Sequence, residues 1–160
     1  TNEILEQYTN LVVIKSISKS YGVPGLRLGI LATSNAMLMA NLRRSVSIWN
    51  INSFAEFFLQ ILGKYERPYQ QAMDDFRSER TRFVRELQTI NYLRIVPSEA
   101  NYLLCEVLPP HTPRELAIQL LKKYNILIKD CTSKCHAPYI RIAVRDTKDN
   151  NRLIAALKKL

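Results

Sequence analysis

The first apolar run of the chain, Leu11-Val12-Val13-Ile14, is short, rich in β-branched residues and bounded by polar ones, which reads as a buried strand. Gly22, Pro24 and Gly25 then turn the chain, and Ile30-Leu31-Ala32, with Leu26 and Leu28, reads as a second strand returning beside the first. Thr33-Ser34-Asn35 looks like a turn or helix cap. Met37, Met39-Ala40 and Leu42 give residues 36–44 helical spacing. Residues 46–53 form a polar-aromatic loop in which Trp49 can line a pocket or simply pack, and Ser53 is the expected N-cap of the next helix. Phe54, Phe57, Phe58, Ile61 and Leu62 stripe that helix as a buried face until Pro68 stops it. Two strands leave much apolar surface uncovered, the sign of a partial sheet.

From Tyr69 to Asn91 there is neither glycine nor proline, and Met73, Phe76, Arg80, Phe83 and Leu87 recur at near-heptad spacing. That predicts one helix of about six turns, its charge run from Asp74 to Glu86 forming a solvated face. Beyond it, residues 93–96, 102–107, 126–128 and 139–144 read as strands, with Pro109-Pro110-His111 as a loop. Thr112-Pro113-Arg114-Glu115 has capping-box form and opens a helix to Tyr124. A last helix runs from about Asp149 to Leu160, so the second half is a compact α+β unit. Thr1 to Asn10 reads as a connecting segment into the first strand.

Composition narrows the class. A chain of 160 residues that is 47% hydrophobic fills one domain or two small ones. The formal charge of +9 favours an anionic partner, but no long basic run interleaves with aromatics and no nucleic-acid motif is present, so nucleic acid is not expected. No apolar stretch reaches about eighteen residues and no signal-peptide pattern opens the chain, so no membrane partner is expected. Three cysteines, an odd number, fit a reducing, cytoplasmic setting better than a disulfide framework. Cys131, Cys135 and His136 fall at neither zinc nor haem spacing, so no metal is expected, and His111 reads as a loop residue.

The chemistry concentrates in Ser16-Ile17-Ser18-Lys19-Ser20-Tyr21-Gly22-Val23-Pro24-Gly25-Leu26-Arg27-Leu28-Gly29. Lys19 follows the carboxyl end of the first strand, where ligands bind in open α/β sheets. By itself such a lysine is an ordinary surface charge. Here the glycines and proline turn the chain so that Arg27 faces the same space, and Ser16 and Ser18 add hydroxyl donors. An amine, a planar cation and short hydroxyls suit an aldehyde cofactor that carries a phosphate. A dinucleotide site fails for want of G-x-G-x-x-G, and a P-loop for want of Gly-Lys-Ser/Thr.

Ser-x-x-Lys followed eight residues later by Arg resembles the pyridoxal-phosphate lysine segment of the class I/II aminotransferases. Asn50-Ile51-Asn52-Ser53 and Pro97-Ser98-Glu99-Ala100-Asn101-Tyr102 resemble segments of its histidinol-phosphate aminotransferase branch, and Tyr139-Ile140-Arg141-Ile142-Ala143-Val144 resembles the family's end. The resemblance implies an α/β fold, the C-terminal portion of a fold type I pyridoxal-phosphate transferase. Residues 1–68 would be part of the cofactor-binding large domain, with a partial sheet; residues 69–160 would be the long connecting helix and α+β small domain. It implies Lys19 as the catalytic residue that holds pyridoxal 5'-phosphate, Ser16, Ser18 and Arg27 as its phosphate ligands, and Arg141 as the ligand of the substrate's α-carboxylate. Read from the strand alone, alternation outward to solvent and pairing with a carboxylate are equally open to Arg141.

The implied partners are a small amino-acid or amino-acid-phosphate substrate and a second copy of the chain. The implied reaction is amino transfer between an amino acid and a 2-oxo acid. Decarboxylation of an amino-acid phosphate and a non-catalytic basic binding module are the alternatives. The family's acidic partner of the pyridine nitrogen, and its aromatic residue that stacks on the ring, fall outside these 160 residues. The isolated chain is therefore expected to transaminate weakly or not at all.

Overall fold

Short polar breaks cut this chain into many small elements. The computed structural model describes residues 2–160; Thr1, the start of the expected connecting segment, lies outside them. The rest of that segment holds a short helix, α1 (Asn2–Gln7). The chain divides into two compact units, Thr1–Gln70 and Gln71–Leu160.

In the first unit β1 (Val13–Lys15) pairs antiparallel with β2 (Ile30–Ala32), Ile14 opposite Leu31. Between them lie a single helical turn, α2 (Ile17–Ser20), and a 3-10 turn at Pro24–Leu26. Helices α3 (Ala36–Ser45) and α4 (Ser53–Leu62) follow. Each opens on an asparagine whose side-chain oxygen accepts a backbone N–H two or three residues into the helix: Asn35 from Leu38, and Asn52 from Ala55. The N-cap of α4 is thus Asn52, and Ser53 is already helical.

Two further expectations are corrected in this unit. The first strand is not buried: Ile14 is 75% exposed, because a two-stranded sheet has no covering layer on that face. Nor is the aromatic stripe of α4 core. Phe54 and Phe57 are exposed, and Ala55 is the position fully buried, packed with Ile17 and Leu28 and flanked by Tyr21, Leu26 and Phe58. Trp49 neither packs nor lines a buried pocket; it is 89% exposed.

After a 3-10 turn at Gly63–Tyr65, α5 runs from Glu66 to Leu87. Pro68 does not stop a helix there. It sits in the first turn of α5, where its missing N–H costs nothing.

The second unit is an antiparallel sheet of order β3-β4-β6-β5, from β3 (Leu93–Ile95), β4 (Tyr102–Val107), β5 (Lys129–Asp130) and β6 (Tyr139–Ala143). Helices α6 (Pro113–Tyr124), α7 (Thr132–Cys135) and α8 (Thr147–Leu157) complete it. Leu103, Cys105, Ile140 and Ile142 point from the sheet into a core shared with Phe83, Leu87, Leu116, Leu120 and Leu157. The strand expected at 126–128 begins instead at Lys129. Asn125 takes a left-handed conformation that ends α6, and the Ile126 N–H closes the helix by donating to Leu120 O (3.1 Å).

Glu79 on α5 fastens that helix to α8. Its Oε1 accepts from Arg82 Nη2 (2.6 Å) and Asn150 Nδ2 (2.7 Å), and its Oε2 from Arg82 Nε and Thr147 Oγ1, both 2.9 Å. The Arg82 guanidinium foremost, against the desolvation that opposes it, holds the Glu79 carboxyl down to about 2.

Candidate active site

Lys19 sits in α2, directly after β1, and is exposed. The turn that carries it is fixed from three sides. Ser20 N–H and Oγ both donate to Ser16 O (3.1 and 3.2 Å), closing the helical turn. Tyr69, in the first unit's part of α5, donates its hydroxyl to Ser20 O (3.2 Å), and its ring lies against that of Tyr21 at 4.4 Å. Ser18 bonds across to Leu28: its N–H donates to Leu28 O (3.2 Å), and the Leu28 N–H donates to Ser18 Oγ (2.6 Å). That last pairing sets Lys19 and Arg27 on adjoining stretches of backbone, each one residue away from the bonded pair. Arg27 is exposed as well.

The serines differ. Ser16 is the N-cap of α2, half-buried, and makes no capping bond with its side chain. The Ser18 hydroxyl is turned inward, 3% exposed, and donates to Leu28 O (3.2 Å) while accepting the Leu28 N–H. Among the described residues no ion pair engages Lys19 or Arg27. An exposed amine, an exposed guanidinium and the Ser16 hydroxyl on one short loop fit a phosphate-bearing aldehyde in kind.

Arg141 belongs to the second unit. It alternates outward from β6 onto the open face of the sheet, while Ile140 and Ile142 fill the core. Its guanidinium carbon stands 5.3 Å from the centre of the Tyr102 ring, which covers one face of the cation, and among the described residues no ion pair engages its in-plane N–H groups. The nearby Glu106 carboxylate is taken by Arg94.

Two residues here went unread in the sequence, and a third, Asn52, entered only as part of the Asn-x-Asn-Ser segment with no role of its own. Lys129 is directly opposite Arg141 in the β5–β6 register, so both cations rise from the same face. A hollow of about 520 Å³ opens beside them. Ile126-Leu127-Ile128-Lys129-Asp130 has no alternation of apolar and polar residues that would have marked this face. Tyr69 had no signal either, since its role depends on a contact 49 residues away in the chain. Asn52 also bonds Leu26 O through its Nδ2 (3.1 Å), which holds the residue before Arg27.

Residues 3–157 match the family described as aminotransferase class I and II. The chain belongs to that family. Its members depend on pyridoxal phosphate. The class I and II relatives include a threonine-phosphate decarboxylase of Salmonella typhimurium, 32% identical over 160 residues, which covers 98% of this chain and 43% of that protein. A CMP-5'-(3-aminopropyl)phosphonate synthase of Streptomyces rubellomurinus is 33% identical over 159 residues, covering 98% of this chain and 25% of that one. Among solved structures, the histidinol-phosphate aminotransferase from Clostridium acetobutylicum superposes with a TM-score of 0.88 at 28% identity, over 99% of this chain and 48% of that chain. The fold is therefore that of fold type I aminotransferases, and the chain spans less than half the length of these relatives.

Proposed function

We propose that the polypeptide carrying this chain uses pyridoxal 5'-phosphate to transfer an amino group between an amino acid and a 2-oxo acid, with Lys19 as its catalytic residue. The observation that carries the reading is the Ser18–Leu28 pairing, which presents an exposed amine and an exposed guanidinium from adjoining backbone. When bound, the cofactor supplies an electron sink for negative charge at the substrate Cα. Lys19 would hold the cofactor, and its Nζ, freed when the substrate's amine replaces it there, would take the Cα proton as general base and return it as general acid. Arg27 and the Ser16 hydroxyl bind the phosphate; the Ser18 hydroxyl, expected beside them, is turned inward and committed to Leu28 instead. Arg141 fixes the substrate carboxylate with its in-plane N–H groups, and that orientation decides which bond at Cα breaks.

A second reading, decarboxylation of an amino-acid phosphate, draws on Lys129. Two like charges directly opposite each other on a sheet repel unless an anion lies near both, and an amino-acid phosphate carries two anionic groups. In either reading residues 1–68 serve as part of the cofactor-binding large domain and residues 69–160 as connecting helix and small domain. The protein works as a cytoplasmic homodimer, a state the exposed Ile48, Trp49, Phe54 and Phe57 support. Among the described residues no helix is long and apolar enough to cross a membrane.

The test is an absorbance titration of the full-length polypeptide with pyridoxal 5'-phosphate, followed by borohydride reduction and peptide mapping beside a Lys19→Ala control. Label on Lys19 that is absent from the control is the expected result. Scattered label, or none above the control, refutes the assignment and leaves the non-catalytic binding module. Measuring released carbon dioxide against 2-oxo acid, with an amino-acid phosphate as substrate, then separates the two reactions.

A further inference from the structure

Arg27 has φ 56° and ψ 36°, a left-handed backbone conformation that is strained for a residue with a side chain. The other two such residues among those described, Asn125 and His136, follow the ends of α6 and α7. Arg27 likewise follows the end of the 3-10 turn at Pro24–Leu26, and in addition lies between two peptides that are each held from outside. On one side, Leu26 N–H donates to Val23 O (3.1 Å) and Leu26 O accepts from Asn52 Nδ2 (3.1 Å). On the other, both backbone groups of Leu28 are bonded to Ser18, and its side chain is buried.

Ser18 is suited to this and to nothing exposed. One hydroxyl oxygen both accepts the Leu28 N–H and donates to the Leu28 carbonyl, so its donor and an acceptor lone pair are occupied at a site 3% accessible. We infer that Ser18 is a positioning residue for Arg27: by holding Leu28 it keeps Arg27 left-handed, and the left-handed backbone aims the guanidinium. Without the hydroxyl, the Leu28 N–H would be buried and unsatisfied. The loop relieves that cost by turning, and the strained residue beside it is the one that turns first. This inference rests on the reading above in which Arg27 binds the cofactor's phosphate.

The experiment compares the affinities of the full-length polypeptide for pyridoxal 5'-phosphate and for pyridoxal, which lacks the phosphate. The ratio of the two isolates what the phosphate contacts contribute. In Arg27→Gln it is expected to fall about tenfold or more, the scale of a lost charge-assisted hydrogen bond. Ser18→Ala is expected to lower it comparably, and the double variant to lower it no further than Arg27→Gln alone. Hydrogen exchange at the Leu28 amide, read without any ligand, is expected to quicken in Ser18→Ala and to stay slow in Arg27→Gln. Should Ser18→Ala fail to fold, Ser18→Cys keeps nearly the same volume with a weak hydrogen-bonding group and decides the case. An unchanged ratio in Arg27→Gln overturns the phosphate reading, and this inference with it. A fall in Arg27→Gln with none in the Ser18 variants, or a Ser18 effect that adds in full to that of Arg27→Gln, overturns the positioning role alone.

Discussion

Replacing Glu79 with glutamine keeps the shape of the side chain and removes its charge from the α5–α8 junction. The wild-type carboxyl falls from an ordinary value of 4.5 to about 2 on folding. A difference of about 2.5 in pKa corresponds to about 3.4 kcal/mol. The Glu79 side chain is 13% exposed, but that of its main partner, Arg82, is 36% exposed. Solvent screening of that pair brings the expected contribution to about 2 kcal/mol. The folded value lies below the unfolded one, so this stability is fully present above about pH 4.5 and is lost as pH falls towards 2. Urea denaturation of wild type and Glu79→Gln, followed by far-UV circular dichroism with hydrogen exchange in α8 as the local reading, measures the difference. Trp49 fluorescence is the wrong probe, because Trp49 belongs to the other unit. The expected gap is about 2 kcal/mol at pH 7, with more than half of it gone by about pH 3. A gap that stays constant from pH 7 to 3, or none at pH 7, refutes the assignment of the stabilisation to the carboxylate.

Asn52→Ala removes the cap of α4 and the bond to Leu26 O, and is expected to cost about 1–2 kcal/mol in urea denaturation followed by hydrogen exchange at the α4 amides; no loss would show that both bonds are replaced by water. Tyr102→Leu uncovers Arg141, and the full-length enzyme is expected to show a KM for its amino-acid substrate raised about threefold to tenfold with little change in kcat, whereas Tyr102→Phe retains wild-type values. Equal losses in both variants would rule out the ring face as the cause. Burial pushes the Cys105 thiol up to about 12, so alkylation near neutral pH should label exposed Cys135 in native protein and reach Cys105 only on unfolding, as mass mapping would show.

Where local chemistry decides, the sequence was readable. Thr112 accepts the Glu115 N–H, and α6 begins where the capping box put it. Phe83 and Leu87 of the near-heptad stripe are fully buried, and Arg80, on the same stripe, reaches Glu99 and Ala100 O instead of the core. The first-unit errors share another cause. Phe54, Phe57 and Ile14 are apolar at the correct spacing, yet spacing records which face is apolar and not whether anything covers it. At the candidate site, Lys19 and Arg27 stood out because the turn between them is built from glycine and proline. The inward rotation of Ser18 and the facing of Lys129 and Arg141 depend on pairing register, which a single sequence does not carry.

The inequality of the two cores bears on how the polypeptide survives a protease. Ile17, Leu28 and Ala55 make a small centre for the first unit, whereas a continuous core from Phe83 to Leu157 holds the second. Cleavage needs a locally opened backbone, and opening is easiest where little apolar surface must be uncovered. Residues 1–70, which carry Lys19, would be nicked first and residues 71–160 would persist as the resistant fragment. Whatever covers Trp49 and Phe54 in the working protein would thus also set the lifetime of its reactive lysine.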